Sequence, residues 1–205
     1  MSSIGIYRAV SENKKVSNTL FKPYPTMRPP GNVPYIVDNL WEWKRPDEFP
    51  NRRFSAFASP TPELAIEAVG GNSNVYKVEF NGVIKKTGLC QVVPSNKIRN
   101  PEDSKFHPEC KVLKKLLIKK LGHNWFGKDI SEKQKIASLW MPCLKKEEVE
   151  VLFQSAEELR RIRDEIYDSI QYWNDVVLFE NTDNVPDHKG ELFFEYLNGY
   201  YLRPL

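Results

Sequence analysis

The sequence predicts an α+β protein built from mostly antiparallel strands with flanking helices. Short β-prone runs occur within the first hundred residues and again near the end of the chain, whereas the strongest helical periodicity falls between residues 105 and 175. Strands grouped apart from helices are typical of the α+β class. The chain has 205 residues, of which 40% are hydrophobic. We therefore expect one domain over residues 1–205, with a basic helical insertion around 105–175.

The first strand is expected over residues 4–10, where the only charged residue is Arg8. A charged side chain is costly to bury unless it is paired. Arg8 therefore either points to solvent or faces a cleft, where its guanidinium would be a bidentate ligand for an anion. Residues 11–34 are rich in proline and predict a long irregular segment. The aromatic run over residues 35–43 then indicates a helical turn or two.

The middle of the chain contains a strand that runs directly into a helix. Residues 54–59 alternate with a period of two, and Thr61 and Pro62 then supply an N-cap and a first helical position. Gly70-Gly71 predicts the end of this helix. Ser59 and Thr61 thus place two hydroxyls at a strand end beside a helix N-terminus, where phosphate-bearing ligands are favoured. Taken alone, the stretch favours a capped turn and nothing more.

A cluster of arginines lies in the loop before this strand. Such clusters are typical of a protein surface, and this one borders the candidate site. Its members are Arg45, Arg52 and Arg53.

A β-hairpin is predicted after the helix. Residues 75–80 and 83–84 are β-prone, and Asn81-Gly82 between them is a favoured turn dipeptide. Residues 90–93 indicate a further strand.

The basic part of the chain follows. Residues 105–135 carry nine lysines against three acidic residues, which gives a net charge of +6. Capping-box patterns occur at Ser131 with Gln134 and at Ser155 with Glu158, and the second introduces a long helical periodicity. An amphipathic helix flanked by lysines is predicted from apolar residues at helical spacing, namely Val112, Leu113, Leu116, Leu117, Ile118 and Leu121.

The C-terminal part returns to β structure. Residues 176–179 form a short apolar run, and a polar loop covers residues 181–190. Glu191 then opens an apolar strand that reaches Leu197. Asn198-Gly199 turns the chain into its last β-prone residues.

Several classes of function are disfavoured by what the sequence lacks. The three cysteines and three histidines show no metal-ligand spacing, so we predict no metal. Rossmann, P-loop and nucleophile-elbow motifs are missing. No apolar run is long enough for a signal peptide or a membrane helix. Together with the odd cysteine count, this leads us to expect a cytoplasmic protein without membrane contact.

Three features stand in a characteristic order along the chain. Arg8 lies in the first strand, Ser59-Pro60-Thr61 ends a middle strand, and Glu191 opens a late strand after a polar loop. This order resembles the Arg–Ser–Glu class of bacterial mono-ADP-ribosyltransferases, including toxin and effector members. The resemblance implies a split β-sandwich fold of the ADP-ribosyltransferase type and NAD as co-substrate. Members commonly have Ser-Thr-Ser in the middle motif, where this chain has Pro60.

The resemblance also implies roles for individual residues. Arg8, with Tyr7 beside it, would bind the NAD pyrophosphate, and Glu191 would stabilise the oxocarbenium-like transition state. Ser59 and Thr61 would position the glutamate and the ribose. An aromatic slot for nicotinamide would come from Phe57, Tyr35 or Trp41. The rival carboxylate is Glu195, which strand alternation puts on the same face as Glu191.

The acceptor of ADP-ribose stays open. Many members carry Glu or Gln two residues before the catalytic glutamate, often with arginine side chains as acceptors, and this chain has Lys189 there. A protein or a nucleic acid is therefore expected as acceptor, and an antitoxin or immunity protein is a possible partner. The alternative function is a non-catalytic module that binds nucleic acid or a partner through the lysine-rich helix.

Overall fold

A computed structural model describes residues 5–14, 16, 18–29, 33–82, 84–92, 108–121, 138–179 and 190–205. The predicted Ser131–Gln134 capping box, the three histidines and Lys189 lie outside these residues. The strands are β1 (Tyr7–Ser11), β2 (Leu20–Phe21), β3 (Ala56–Ala58), β4 (Ser73–Phe80), β5 (Ile84–Val92), β6 (Val176–Phe179), β7 (Leu192–Tyr196) and β8 (Tyr200–Pro204). The helices are α1 (Tyr35–Lys44), α2 (Pro62–Val69), α3 (Pro108–Leu121), α4 (Lys146–Ser155) and α5 (Glu157–Ser169), with a 3-10 turn at Tyr172–Asp175.

The described chain is an α+β protein whose paired strands are antiparallel, as the sequence predicts. It divides into two compact units. The first takes its described residues from Met1–Met27, Asp47–Pro94 and Val176–Leu205, and the second from Arg28–Pro46 and Ser95–Asp175. Within the described ranges, no helix is both long and apolar enough to cross a bilayer.

The first unit contains two four-stranded sheets. Their strand orders are β1-β4-β8-β2 and β3-β7-β5-β6. Both sheets contribute to one hydrophobic core, because alternate residues of their strands point toward it. The buried members of this core are Ile6, Ala56, Ala58, Tyr76, Val78, Leu192, Phe194, Tyr196, Tyr200 and Leu202.

The predicted hairpin over residues 75–84 is wrong. β4 pairs with β1 and β8, whereas β5 pairs with β6 and β7, so the chain changes sheets after β4. It changes sheets again between β7 and β8. The two Asn-Gly turns at these crossings contact each other, since the Asn81 N–H donates to the Gly199 carbonyl at 3.0 Å. Gly199 is required there because its φ is +95° and an added Cβ would lie 2.6 Å from the Phe21 carbonyl oxygen.

The start of α2 follows the sequence prediction. Thr61 has extended dihedral angles, and its hydroxyl oxygen accepts a hydrogen bond from the Leu64 N–H at 3.3 Å. Pro62 is the first helical residue, and Gly70 with φ +70° ends the helix. α2 packs against β1 and β4.

The second unit is built around aromatic side chains. The Trp41 ring stacks on Tyr172 at a centroid distance of 4.1 Å, and the Trp43 ring stacks on Phe153 at 4.5 Å. Asn39 is fully buried and bonds the segment after residue 138, because its amide donates to the Leu139 carbonyl at 2.7 Å. Packed aromatics and a satisfied buried amide hold helices from distant parts of the chain together.

Two details of the predicted helices are wrong. Val112 was assigned to the apolar face of α3 but is 59% exposed, since only one narrow stripe through Leu113 and Leu117 is buried. Ser155 does not cap the following helix. Its hydroxyl donates to the Leu152 carbonyl at 3.2 Å, and α5 begins after Ala156 without a side-chain cap.

Glu109, a carboxyl buried in the second unit, makes stability depend on pH. It is 7% exposed and accepts the Gln171 N–H at 2.7 Å, and burial raises its pKa to about 7. Because the pKa is raised above its unfolded value, the protonated folded state is favoured below about pH 4.5 and this stabilisation is lost as pH rises through 7.

We therefore expect Glu109→Gln to stabilise the protein at pH 8 relative to wild type and to have little effect at pH 5. The gain in the free energy of unfolding should be about 1–3 kcal/mol, since each pKa unit corresponds to about 1.4 kcal/mol. Urea denaturation at both pH values measures it. Equal differences at pH 5 and pH 8 would contradict this account of Glu109.

Candidate active site

A backbone bridge joins the two sheets of the first unit. Tyr7 in β1 and Ser59 at the end of β3 form an isolated antiparallel bridge, in which each N–H donates to the other's carbonyl at 2.8 Å. Ser59 is 8% exposed. A backbone contact thus joins the first strand to the Ser59 motif.

Glu191 continues the row of paired residues that Tyr7 and Ser59 begin across the strands. β3 and β7 pair with Ala58 opposite Leu192, and continuing this register by one residue brings Ser59 opposite Glu191. Residues paired across antiparallel strands point to the same side of the sheet. Tyr7, Ser59 and Glu191 therefore share one face at the junction of the sheets, although they are far apart in sequence. The Glu191 side chain is 48% exposed.

Arg8 is one residue away from this row, and its side chain takes the opposite face of β1. By strand alternation it lies on the side of Ile6 and Val10, which pack in the core. Its guanidinium donates to the Tyr200 hydroxyl and lies 5.5 Å from the centre of that ring. Tyr200 is fully buried, and no sequence motif marks it as a site residue.

Arg52 lies on the same face as Glu191. Its guanidinium carbon is 4.9 Å from the centre of the Phe57 ring and 5.2 Å from that of Phe193. Its Nη1 is 3.5 Å from a Glu191 carboxylate oxygen. The Arg52 side chain is only 14% exposed and Arg53 is 3% exposed. The interpretation of these two arginines as surface residues is therefore wrong.

The rival carboxylate, Glu195, is hydrogen-bonded to a backbone N–H group. It is 6% exposed, and its Oε1 accepts the Asn51 N–H at 2.6 Å. Asn51 in turn organises the turn that carries Arg52, since its carbonyl accepts the Phe54 N–H at 3.0 Å and the Ser55 hydroxyl at 2.8 Å. Glu195 thus fixes the loop, while Glu191 keeps its carboxylate at the surface.

Cys90 in β5 pairs with Phe193 in β7, one of the two rings that Arg52 contacts. It is fully buried, and burial raises the pKa of its thiol to about 12, against a smaller opposing effect of the Arg52 charge. A thiol with such a pKa stays protonated near neutral pH and is a poor nucleophile.

Two predicted binding residues have other surroundings. The Thr61 hydroxyl is engaged as the N-cap of α2. Tyr35, 39% exposed, begins α1 and belongs to the second unit, so it is not among the residues that the first unit brings together. Phe57 is in the first unit and lies under Arg52. Among the described side chains, no group of three or more His, Cys, Asp or Glu is arranged to hold a metal ion.

The first unit therefore brings an exposed carboxylate, a buried hydroxyl residue and the Arg52 guanidinium to one face, while the Arg8 guanidinium lies on the opposite face of β1. Such a set suits a ligand that carries phosphate and a centre of developing positive charge. Comparisons with protein-family models, with curated proteins and with solved structures found no match to this chain.

Proposed function

We propose that the protein is an NAD-dependent mono-ADP-ribosyltransferase with a split β-sandwich of the ADP-ribosyltransferase type. The observation that carries the proposal is the row Tyr7–Ser59–Glu191 at the junction of the two sheets, with Arg8 next to it in the chain. These are the residues of the three sequence motifs, and they are separated by 50 residues or more along the chain. The three weak motifs are neighbours in the backbone, with the Ser59 and Glu191 side chains on one face and that of Arg8 on the other, and this proximity supports a common role.

In this proposal Glu191 acts on the bond between nicotinamide and ribose. As that bond breaks, the electron pair leaves with nicotinamide and positive charge develops on the ribose. A preorganised carboxylate stabilises that charge and accepts a hydrogen bond from a ribose hydroxyl. A nucleophile of the acceptor then bonds to the ribose carbon and releases its proton. Ser59, opposite Glu191 in the register, orients the carboxylate and the ribose.

Arg8 would bind the pyrophosphate. Its guanidinium donates to the Tyr200 hydroxyl, and in this proposal a phosphate oxygen would replace that neutral acceptor. A doubly anionic pyrophosphate is a stronger acceptor than a phenol, and a planar guanidinium recognises it in a bidentate manner. Phe57 supplies an aromatic surface near the row.

The acceptor is a macromolecule in this proposal, and an antitoxin or immunity protein is a further expected partner. NAD labelled on its adenylate moiety distinguishes the acceptor classes. We expect label on protein or on nucleic acid after incubation with a cell extract, and loss of that label when nuclease or protease removes the acceptor. Release of free ADP-ribose with no label on either class would reduce the activity to NAD hydrolysis.

A second candidate function rests on α3. Its lysines at positions 111, 114, 115, 119 and 120 are exposed, and Lys120 pairs with Glu165 at 2.6 Å. An exposed row of lysines is suited to the phosphates of a nucleic acid or to an acidic protein surface. The helix would then be the surface that binds the acceptor. If the protein does not cleave NAD, binding through this helix would be its only function.

Charge reversal tests this surface. We expect the triple variant Lys114→Glu, Lys115→Glu and Lys119→Glu to reduce labelling of the acceptor by roughly tenfold or more at low salt, because the lysines attract an anionic acceptor over a long range. NAD hydrolysis, which needs no acceptor, should be unchanged. Rates are compared at two salt concentrations. Equal loss of hydrolysis and labelling would show that the lysines act in folding or in NAD binding instead.

A further inference from the structure

We infer that Arg52 is a positioning residue that fixes the orientation of the Glu191 carboxylate, an inference that rests on the proposed function. As a member of an arginine cluster in a loop, Arg52 is predicted to lie at the surface, and the resemblance gives it no role. In the structure, the Nη1 atom of Arg52 lies 3.5 Å from a carboxylate oxygen of Glu191.

The arginine is held independently of Glu191. Its guanidinium lies over two rings, Phe57 and Phe193, at 4.9 and 5.2 Å. Cation–π contacts of this kind restrict the guanidinium to a plane above the rings. The side chain is 14% exposed, so most of its freedom is removed before any contact with the carboxylate is made.

The backbone that carries Arg52 is also held. The Asn51 N–H donates to Glu195 at 2.6 Å, and the Arg53 N–H donates to the Asn51 side-chain oxygen at 2.9 Å. The Ser55 N–H donates to the Arg52 carbonyl at 3.2 Å. The buried Glu195 carboxylate in β7 thus anchors the turn, while the arginine of that turn contacts the exposed Glu191 carboxylate just before the same strand.

The consequence concerns Glu191. Its side chain is 48% exposed, and an exposed carboxylate on its own samples several rotamers. Pairing with a preorganised guanidinium selects one of them, which matters because a catalytic group must be held within about 0.5 Å of its productive position. The pair would affect turnover more than NAD binding, since the carboxylate acts mainly in the transition state.

The test uses the full chain and compares Arg52→Gln, Arg52→Lys and the control Arg203→Gln. The control removes an equivalent arginine–glutamate pair, that of Arg203 with Glu79 at 2.6 Å, from an exposed position on β8 and β4. We expect Arg52→Gln to lower kcat for nicotinamide release by about ten- to hundredfold with little change in KM. Arg52→Lys should restore part of the rate, and Arg203→Gln should match wild type.

A double mutant separates positioning from general damage. In a Glu191→Gln background, Arg52→Gln should cause no further loss, because residues that act as a unit are non-additive. An Arg52→Gln variant that is folded and as active as wild type would overturn the inference and leave the proposed function intact. Full additivity of the two changes would overturn it as well.

A second readout is independent of turnover. In NMR spectra of the wild-type chain, the Arg52 Nε–Hε signal should shift on Glu191→Gln and stay in place on Glu79→Gln. If the wild-type chain releases no nicotinamide, the proposed function fails, and this signal alone decides whether Arg52 and Glu191 form a pair. An unshifted signal would overturn the inference in either case.

Discussion

Glu191→Gln should leave the fold and NAD binding nearly unchanged and cut turnover by roughly a hundred- to thousandfold, the loss typical of one preorganised electrostatic group. The Glu191 side chain is half exposed and contacts Arg52. The glutamine amide therefore fits the same place, and no polar group has to be buried without a hydrogen-bond partner. The amide lacks the charge that stabilises the developing cation on the ribose. Steady-state release of nicotinamide gives kcat and KM, and calorimetry gives NAD affinity. In a cell, if the protein is a toxin, the same change should remove toxicity without lowering the protein level.

Glu195→Gln is the matched control, four residues further along the chain and on the same face by strand alternation. Glu195 is 6% exposed and accepts the Asn51 N–H, a bond that the glutamine oxygen can retain, so we expect a milder effect on turnover. If Glu195→Gln is inactive while Glu191→Gln is active, the catalytic carboxylate is Glu195. If both variants cleave NAD at the wild-type rate, a carboxylate mechanism on β7 is wrong.

Arg8→Ala should weaken NAD binding by about 2–3 kcal/mol, or roughly 30- to 150-fold in Kd, as for other hydrogen bonds to charged groups. The physical reason is the loss of a bidentate cation from the pyrophosphate. Arg8→Lys should recover only part of the affinity, because the ammonium has no planar fork. Isothermal titration calorimetry measures the NAD affinity of the wild type, Arg8→Ala and Arg8→Lys.

Tyr200→Phe is the control for this prediction. It keeps the buried ring and removes the hydroxyl to which the Arg8 guanidinium donates. If Arg8 exchanges that hydroxyl for phosphate, Tyr200→Phe should bind NAD at least as tightly as wild type. Unchanged affinity in a folded Arg8→Ala variant would exclude the role of Arg8 in NAD binding.

Elements governed by local rules could be predicted from the sequence. Thr61 and Pro62 signal the start of α2 through their own backbone preferences, and Gly70 signals its end. The strands near Arg8 and after Glu191 were likewise recognisable as short runs of apolar, β-prone residues. In each case the deciding interactions lie within a few residues of each other.

Strand pairing could not be predicted in the same way. Asn81-Gly82 has the composition of a hairpin turn, yet the strands on either side of it belong to different sheets. β4 has β1 and β8 as partners, and β5 has β6 and β7. That choice depends on the whole core of the first unit, which no short window of sequence contains.

The same limit applies to the candidate site. Arg8, Ser59 and Glu191 were singled out by motif order, but Arg52 was not, because its partner Glu191 is 139 residues away. A cluster of arginines in a loop has no local signature that separates an exposed group from one stacked on Phe57 and Phe193. Tyr200 was missed for the same reason, since its contact with Arg8 spans 192 residues.

Release of nicotinamide from NAD by the purified protein, followed beside Glu191→Gln at equal concentration, tests the central claim most directly. We predict time-dependent release by the wild-type chain that is proportional to enzyme, and release by the variant at roughly 1% of that rate or less. No release by the wild-type chain with a cell extract supplied as a source of acceptors, or equal release by both proteins, would contradict the claim that Glu191 serves an ADP-ribosyltransferase.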